Sequence, residues 1–198
     1  MSSAAEAKAR RETRERRHRS RERATITPNH VSTVLANTTK PDDDLLIKLS
    51  LYTGLRPAEL DELTLEDVAT RGHRHYLTVH GKVPRTIALP RIVGEAIEAA
   101  RPGLLPGGPL VLPHLDVEGA VACAMRAVLV TVGVTDATAH APRGHLLDLL
   151  RAQNDLPLAH RLAYVGFIGS DPGSLPDGWS EPIADRIDQL AEDAAAAG

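Results

Sequence analysis

The stretch Thr53-Gly54-Leu55-Arg56-Pro57-Ala58-Glu59-Leu60 places an arginine at a break between two helical patterns. Leu45, Leu46, Leu49 and Tyr52 recur ahead of it at helical spacing, Gly54 stops that run, and Pro57 opens the next helix at once. A guanidinium fixed at such a junction can grip two phosphate oxygens in bidentate fashion. Glu59, three residues on, is placed to orient Arg56 from behind; the plainer alternative is a surface arginine with an ordinary helix partner. Gly81-Lys82-Val83-Pro84 is a compact turn, and a mobile ammonium on a turn suits general-acid work because its pKa is readily lowered. His140-Ala141-Pro142-Arg143-Gly144-His145 sets an imidazole three residues before a second guanidinium.

The elements that must position these groups follow from periodicity and breakers. Thr27-Pro28-Asn29 separates a charged arm, residues 1–28, from a body at 29–198. The first 24 residues have no apolar face, although Glu12 with Arg16 and Glu15 with Arg19 stand at helical spacing. In the body, Val31, Val34 and Leu35 predict a short helix ending near Asn37. A second begins at Pro41, where Asp42, Asp43 and Asp44 complement its positive end. Thr64-Leu-Glu-Asp67 has the form of a helix-start capping pattern. The alternating segments 75–80 and 85–89 predict a β-hairpin about the Lys82 turn. Further helices are expected over 90–100, 116–132, 142–153, 156–165 and 182–196, with a Pro/Gly-rich loop at 102–109. The expected fold is mainly α with one small antiparallel β-sheet, an α+β domain.

Three of these segments, in this order, resemble the catalytic domain of the tyrosine recombinases, the phage integrase family. Residues 49–67 resemble the family's first signature box: an apolar helix, Thr-Gly-Leu-Arg-x-x-Glu-Leu, then a Leu-x-x-x-Asp turn. Val79-His-Gly-Lys82-Val-Pro-Arg85-Thr-Ile-Ala-Leu-Pro90 resembles its strand-turn-strand, with a shorter turn. His140-Ala-Pro-Arg143 resembles its His-x-x-Arg box; Gly144 displaces His145 by one place and Pro142 replaces a usual leucine. The resemblance implies a catalytic set of Arg56, Lys82, His140 and Arg143. In it the arginines clamp phosphate, His140 transfers a proton or hydrogen-bonds the phosphate, and Lys82 protonates the leaving 5′-oxygen from the minor groove. No cofactor or metal is implied, and the expected partner is the DNA phosphate backbone, with self or another recombinase as a second.

The resemblance covers about residues 30–190 but is poor after the His-x-x-Arg box, where Asp155-Leu156 still fits the start of the family's next helix. The family continues with a helix ending in Leu-Gly-His or Leu-Gly-Trp and then the nucleophilic tyrosine. Here Gly166-Phe167 fits that ending best, which leaves phenylalanine at the donor position. The three tyrosines, Tyr52, Tyr76 and Tyr164, all precede it, and Trp179 stands in the nucleophile's region. A phosphotyrosyl intermediate needs an activated oxygen, which an indole lacks. Tyr164, at the end of a helix, is expected to be a packing residue. Residues 1–28 are expected to be too short to replace the helical domain that closes the family's clamp around DNA.

Composition constrains the remaining readings. The arm carries nine Lys and Arg against four Glu, the body 14 basic and 22 acidic residues, so a positive arm is joined to a body of charge −8. That asymmetry fits a nucleic-acid-seeking tail, or simply a solubilising one. Aromatic residues make up only 3%, which argues against base-stacking platforms. Cys123, the single cysteine, sits in an apolar run and is expected to be a small buried hydrophobe. The start is polar, and the most apolar stretch, 119–134, is short and interrupted by Arg126. A cytoplasmic protein without membrane contact is therefore expected. Three functions remain. The first is a DNA-binding, recombinase-derived protein linked to DNA integration and recombination of a mobile element, with strand cleavage reduced or lost. The second is an active recombinase using Tyr164 or a partner's tyrosine. The third is a protein-interaction module that does not bind DNA.

Overall fold

A computed structural model describes residues 26–38, 40–111 and 138–196, together with positions 119 and 123. Most of the arm and most of the expected helix 116–132 lie outside the described residues. Ile26 is buried in the core immediately ahead of the Thr-Pro-Asn breaker. Thr27 and His30 then form a reciprocal capping box that starts α1, Pro28–Asn37.

The second helix, α2, Pro41–Thr53, is the centre of the domain. Leu45, Leu46, Ile47, Leu49, Leu51 and Tyr52 are all buried, so it is enclosed by neighbours rather than lying on the surface with one face inward. Ser50 and Thr53 tolerate this because their hydroxyls donate to the carbonyls of Leu46 and Leu49. Gly54 ends the helix at φ +63°, and a Cβ there would stand 3.0 Å from Val165 Cγ1. Both the left-handed turn and the close approach therefore require glycine. The short α3, Pro57–Asp61, follows, then a single 3₁₀ turn, Leu65–Asp67, whose start is held by Asp67 Oδ2 accepting from the N–H and hydroxyl of Thr64.

The sheet has three antiparallel strands in sequence order: β1 Val68–Arg71, β2 Arg74–Val79 and β3 Arg85–Ala88. β1 adds an edge to the expected hairpin. Only its first residue is partly buried, so it shows no apolar alternation, and the turn at Gly72, φ +63°, fixes its pairing of Val68 with Leu77. Leu77, Val79 and Ile87 point into the core. On the outer edge, Ala88 N–H donates to Ser180 Oγ.

Helix α4, Arg91–Ala100, packs against α2. Pro90 has no side chain with which to cap it, and the Asp188 carboxylate does so from the far end of the chain, accepting from Arg91 N at 2.7 Å and Ile92 N at 3.3 Å. The expected loop after it contains a 3₁₀ turn, Arg101–Gly103. Helix α5, Ala141–Arg151, buries Leu146 and Leu150. Its last carbonyls, Leu150 and Arg151, receive Arg161 Nη1 from the next helix, α6, Leu158–Tyr164. The final helix, α7, Glu181–Ala196, buries Ile183, Ala184 and Ile187. The architecture is mainly helical with one small antiparallel sheet, as the periodicities indicated.

Cys123 is a correction: it is exposed, because apolar neighbours in a helical run do not decide which residue takes the outer face. Among the described residues no helix is long and apolar enough to cross a membrane.

Candidate functional site

Arg56 is extended at φ −77°, ψ 153°, the last residue before α3, where Pro57 sets the helix start. Its own N–H donates to Glu59 Oε2 at 2.8 Å, its Nη1 donates to Glu59 Oε1 at 2.8 Å, and its Nη2 donates to the Gly166 carbonyl at 2.7 Å. Glu59 thus orients Arg56 from behind, as the spacing required. It is 5% exposed, and that degree of burial removes the reading of an ordinary surface pair.

Arg143 lies in the first turn of α5 and reaches the same place from the opposite side of the chain. Its Nη1 donates to the carbonyls of Gly54 and Val165, and its Nη2 lies 3.4 Å from the Gly166 carbonyl. Burial, and next the nearby Arg56 charge, press its pKa down to about 10, which leaves it ionised at neutral pH. Two guanidiniums separated by 87 positions therefore converge on one oxygen.

The other two expected members, His140 and Lys82, sit on neighbouring stretches of the chain, and among the described residues no hydrogen bond or ion pair joins either to the arginines. His140 immediately precedes α5, exposed, one turn ahead of Arg143, with no side-chain hydrogen bond at the helix start. Lys82 is exposed at the hairpin tip. Its neighbour Gly81, φ +99°, lies against the back of the site, where a Cβ would be 3.8 Å from Glu59 Cγ.

Arg85 is the member whose importance the sequence reading missed. It is the innermost of the three arginines, with its side chain fully buried. Nε donates to the Tyr164 carbonyl at 3.0 Å, and Nη1 donates to Glu59 Oε1 at 3.1 Å and to the Val83 carbonyl at 3.0 Å. A signal was present: Arg85 and Ile87 share one face of β3, and Ile87 is a core position. Gly166 closes over it at φ +64°; a Cβ there would lie 2.4 Å from Arg85 Nη1, so no side chain fits.

The carbonyls of Tyr164, Val165 and Gly166 face the arginines; the Tyr164 hydroxyl points the other way. It donates toward the carbonyls of Ala88 at 3.1 Å and Tyr52 at 3.5 Å, and burial drives its pKa far up. Tyr164 is the packing residue its helical position implied. Trp179 is buried with its ring edge-on to His160, centroids 6.0 Å apart, and its neighbour Ser180 anchors β3. Phe167, which the resemblance places at the family's donor position, is 44% exposed.

No protein-family model and no curated protein matches the sequence. Solved structures do match the fold. XerH site-specific recombinase, in a pre-cleavage complex with its difH substrate, superposes with a TM-score of 0.59 at 16% identity, over 84% of this chain and 49% of that one. The integrase from mycobacterium phage Brujita gives 0.54 at 22% identity, over 85% and 55%. XerA recombinase gives 0.52 at 14% identity, over 82% and 61%. The chain thus spans roughly half to three-fifths of the length of these proteins. With its helices and three-stranded sheet arranged this way, the chain has a tyrosine-recombinase-like fold.

Proposed function

We propose that this protein binds DNA through its phosphate backbone and seats one phosphate between Arg56 and Arg143, flanked by His140 and Lys82. The observation that carries this reading is the convergence of the two guanidiniums on the Gly166 carbonyl. Donors held at hydrogen-bond distance from one oxygen are arranged as an oxyanion requires. Neighbours of the same fold include a recombinase bound to its DNA substrate, which supports DNA as the partner.

In this reading the protein derives from the recombination machinery of a mobile element and acts in the cytoplasm, with itself or another recombinase as a further partner. Its strand-cleavage activity is reduced or lost. Cleavage needs an oxygen nucleophile in line with the leaving 5′-oxygen. The Tyr164 hydroxyl is buried on the wrong side of its own backbone, and bringing it to the arginines would require unfolding the end of α6. The second reading, an active recombinase, therefore reduces to a partner's tyrosine supplied in trans.

Incubation of the full chain with nicked duplex DNA, followed by denaturing electrophoresis, tests this. A gel shift that weakens with salt, without a detergent-resistant band, is the expected result. A detergent-resistant band from this chain alone overturns the loss of cleavage, and absence of any shift favours the protein-interaction module.

A further inference from the structure

Glu59 Oε1 bridges Nη1 of Arg56 and Nη1 of Arg85, at 2.8 and 3.1 Å. That pairing turns the Nη2 group of each arginine away from the carboxylate. Arg56 Nη2 finds the Gly166 carbonyl; Arg85 Nη2 is buried and has no hydrogen-bond partner among the described residues. It nevertheless faces the same residue, since a Cβ on Gly166 would lie 2.9 Å from it. Arg143 Nη2 approaches Gly166 from a third side. Among the described residues, three guanidiniums thus surround one peptide group with a single carboxylate between them and one buried charged donor unpaired, an arrangement that costs free energy unless something else satisfies it.

The segment that covers them is lightly held. Gly166 and Gly169, at φ +64° and +96°, bracket Phe167 and Ile168, which are both exposed. Gly166 N–H and Phe167 N–H bond back only to Ala163 and Leu162, within the end of α6, and Ser170 closes a local turn onto the Phe167 carbonyl. Its described hydrogen bonds to the rest of the domain are the two from arginines to the Gly166 carbonyl.

We propose that Arg85 is a third guanidinium of the phosphate seat, and that residues 166–169 form a strap whose Gly166 carbonyl stands in for a phosphate oxygen until an anion displaces it. The proposal rests on the phosphate-seat reading above and deepens it: the ligand is a tetrahedral oxyanion with oxygens enough for three arginines, where a carbonyl serves two. Displacement breaks no covalent bond; the Gly166 carbonyl moves to water, and the orphan Nη2 gains its first acceptor.

The test is a titration of the full chain with inorganic phosphate, following arginine side-chain N–H resonances and backbone amide exchange. The expected result is that Arg56, Arg143 and Arg85 shift with one common midpoint and that exchange at Phe167 accelerates as the strap lifts. If Arg56 and Arg143 shift while Arg85 and Phe167 do not, the third arginine and the strap are refuted and the two-arginine seat stands. If none responds, the seat itself falls. Arg85→Lys keeps a cation for Glu59 but removes the spare donor. It should weaken phosphate binding about tenfold, the value of one charge-assisted hydrogen bond. Unchanged affinity in a cooperatively folding variant also refutes the proposal, and should that variant not fold, the wild-type resonances decide alone.

Discussion

Replacing Glu59 with glutamine removes one charge and almost no volume from a site where that charge answers to three donors. The carboxylate accepts from Arg56 N–H, Arg56 Nη1 and Arg85 Nη1, at 2.8, 2.8 and 3.1 Å, and is 5% exposed. A glutamine retains one acceptor oxygen, but its amide nitrogen must then face either a backbone N–H or a guanidinium. Arg85, whose side chain is fully buried, is left without a counter-charge. Breaking a buried pair of this kind costs about 3–5 kcal/mol. For a chain of this size each kcal/mol corresponds to a fall of about 2–4 °C in Tm, so a drop of roughly 6–20 °C is expected. Thermal and urea unfolding of Glu59→Gln against wild type measure it. Inorganic phosphate should return part of the loss, because an anion seated among the arginines supplies the missing charge. A cost near 0.5 kcal/mol, that of an exposed helix pair, would refute the claim that Glu59 organises the site.

Other outcomes follow from separate parts of the fold. Asp188→Ala removes the cap that the last helix places on α4 and should cost about 1 kcal/mol in urea unfolding, whereas the exposed Asp193→Ala should cost almost nothing. His145 is held below its usual pKa, chiefly by burial, while its Nδ1–H donates to the Ile26 carbonyl. A histidine neutral in the fold leaves stability intact above its unfolded value, near 6.5, and withdraws it as pH falls through that value. The melting temperature of wild type should therefore fall below that pH more steeply than that of His145→Asn. Deleting residues 1–24 removes nine basic and four acidic residues and should flatten the salt dependence of DNA binding, by about 0.9 in log–log slope for each phosphate the arm neutralises. An unchanged slope would make the arm a solubilising tail.

Much of the fold was legible because breakers and periodicity agree. Gly54, Pro57, Pro41 and the hairpin alternation each fix an element boundary by backbone chemistry alone, and the observed helices start or stop at those residues. The convergence of Arg56 and Arg143 was legible through the order of motifs. What the sequence hid was long-range. β1 is too short and exposed to show a period, Asp188 caps a helix almost a hundred residues away, and Arg85, though it shares a strand face with Ile87, shows its partners only once β3 is seen packed beneath Gly166. The central helix showed the same limit: Leu45, Leu46, Leu49 and Tyr52 announced one apolar face, but Ile47 and Leu51 are buried too because other elements enclose it. Interactions between distant segments leave no local pattern, so they emerge only with the fold.

The phosphate seat is tested most directly by fluorescence anisotropy of the full chain on duplex DNA across a salt series, comparing wild type with the Arg56→Ala/Arg143→Ala double variant. The two arginines share one oxygen and so one phosphate; removing them should lower affinity at least about tenfold and make the log–log salt slope shallower by about 0.9. Superimposable curves from a folded double variant would show that the converging guanidiniums hold only the chain's own backbone, and the DNA-phosphate account would be wrong.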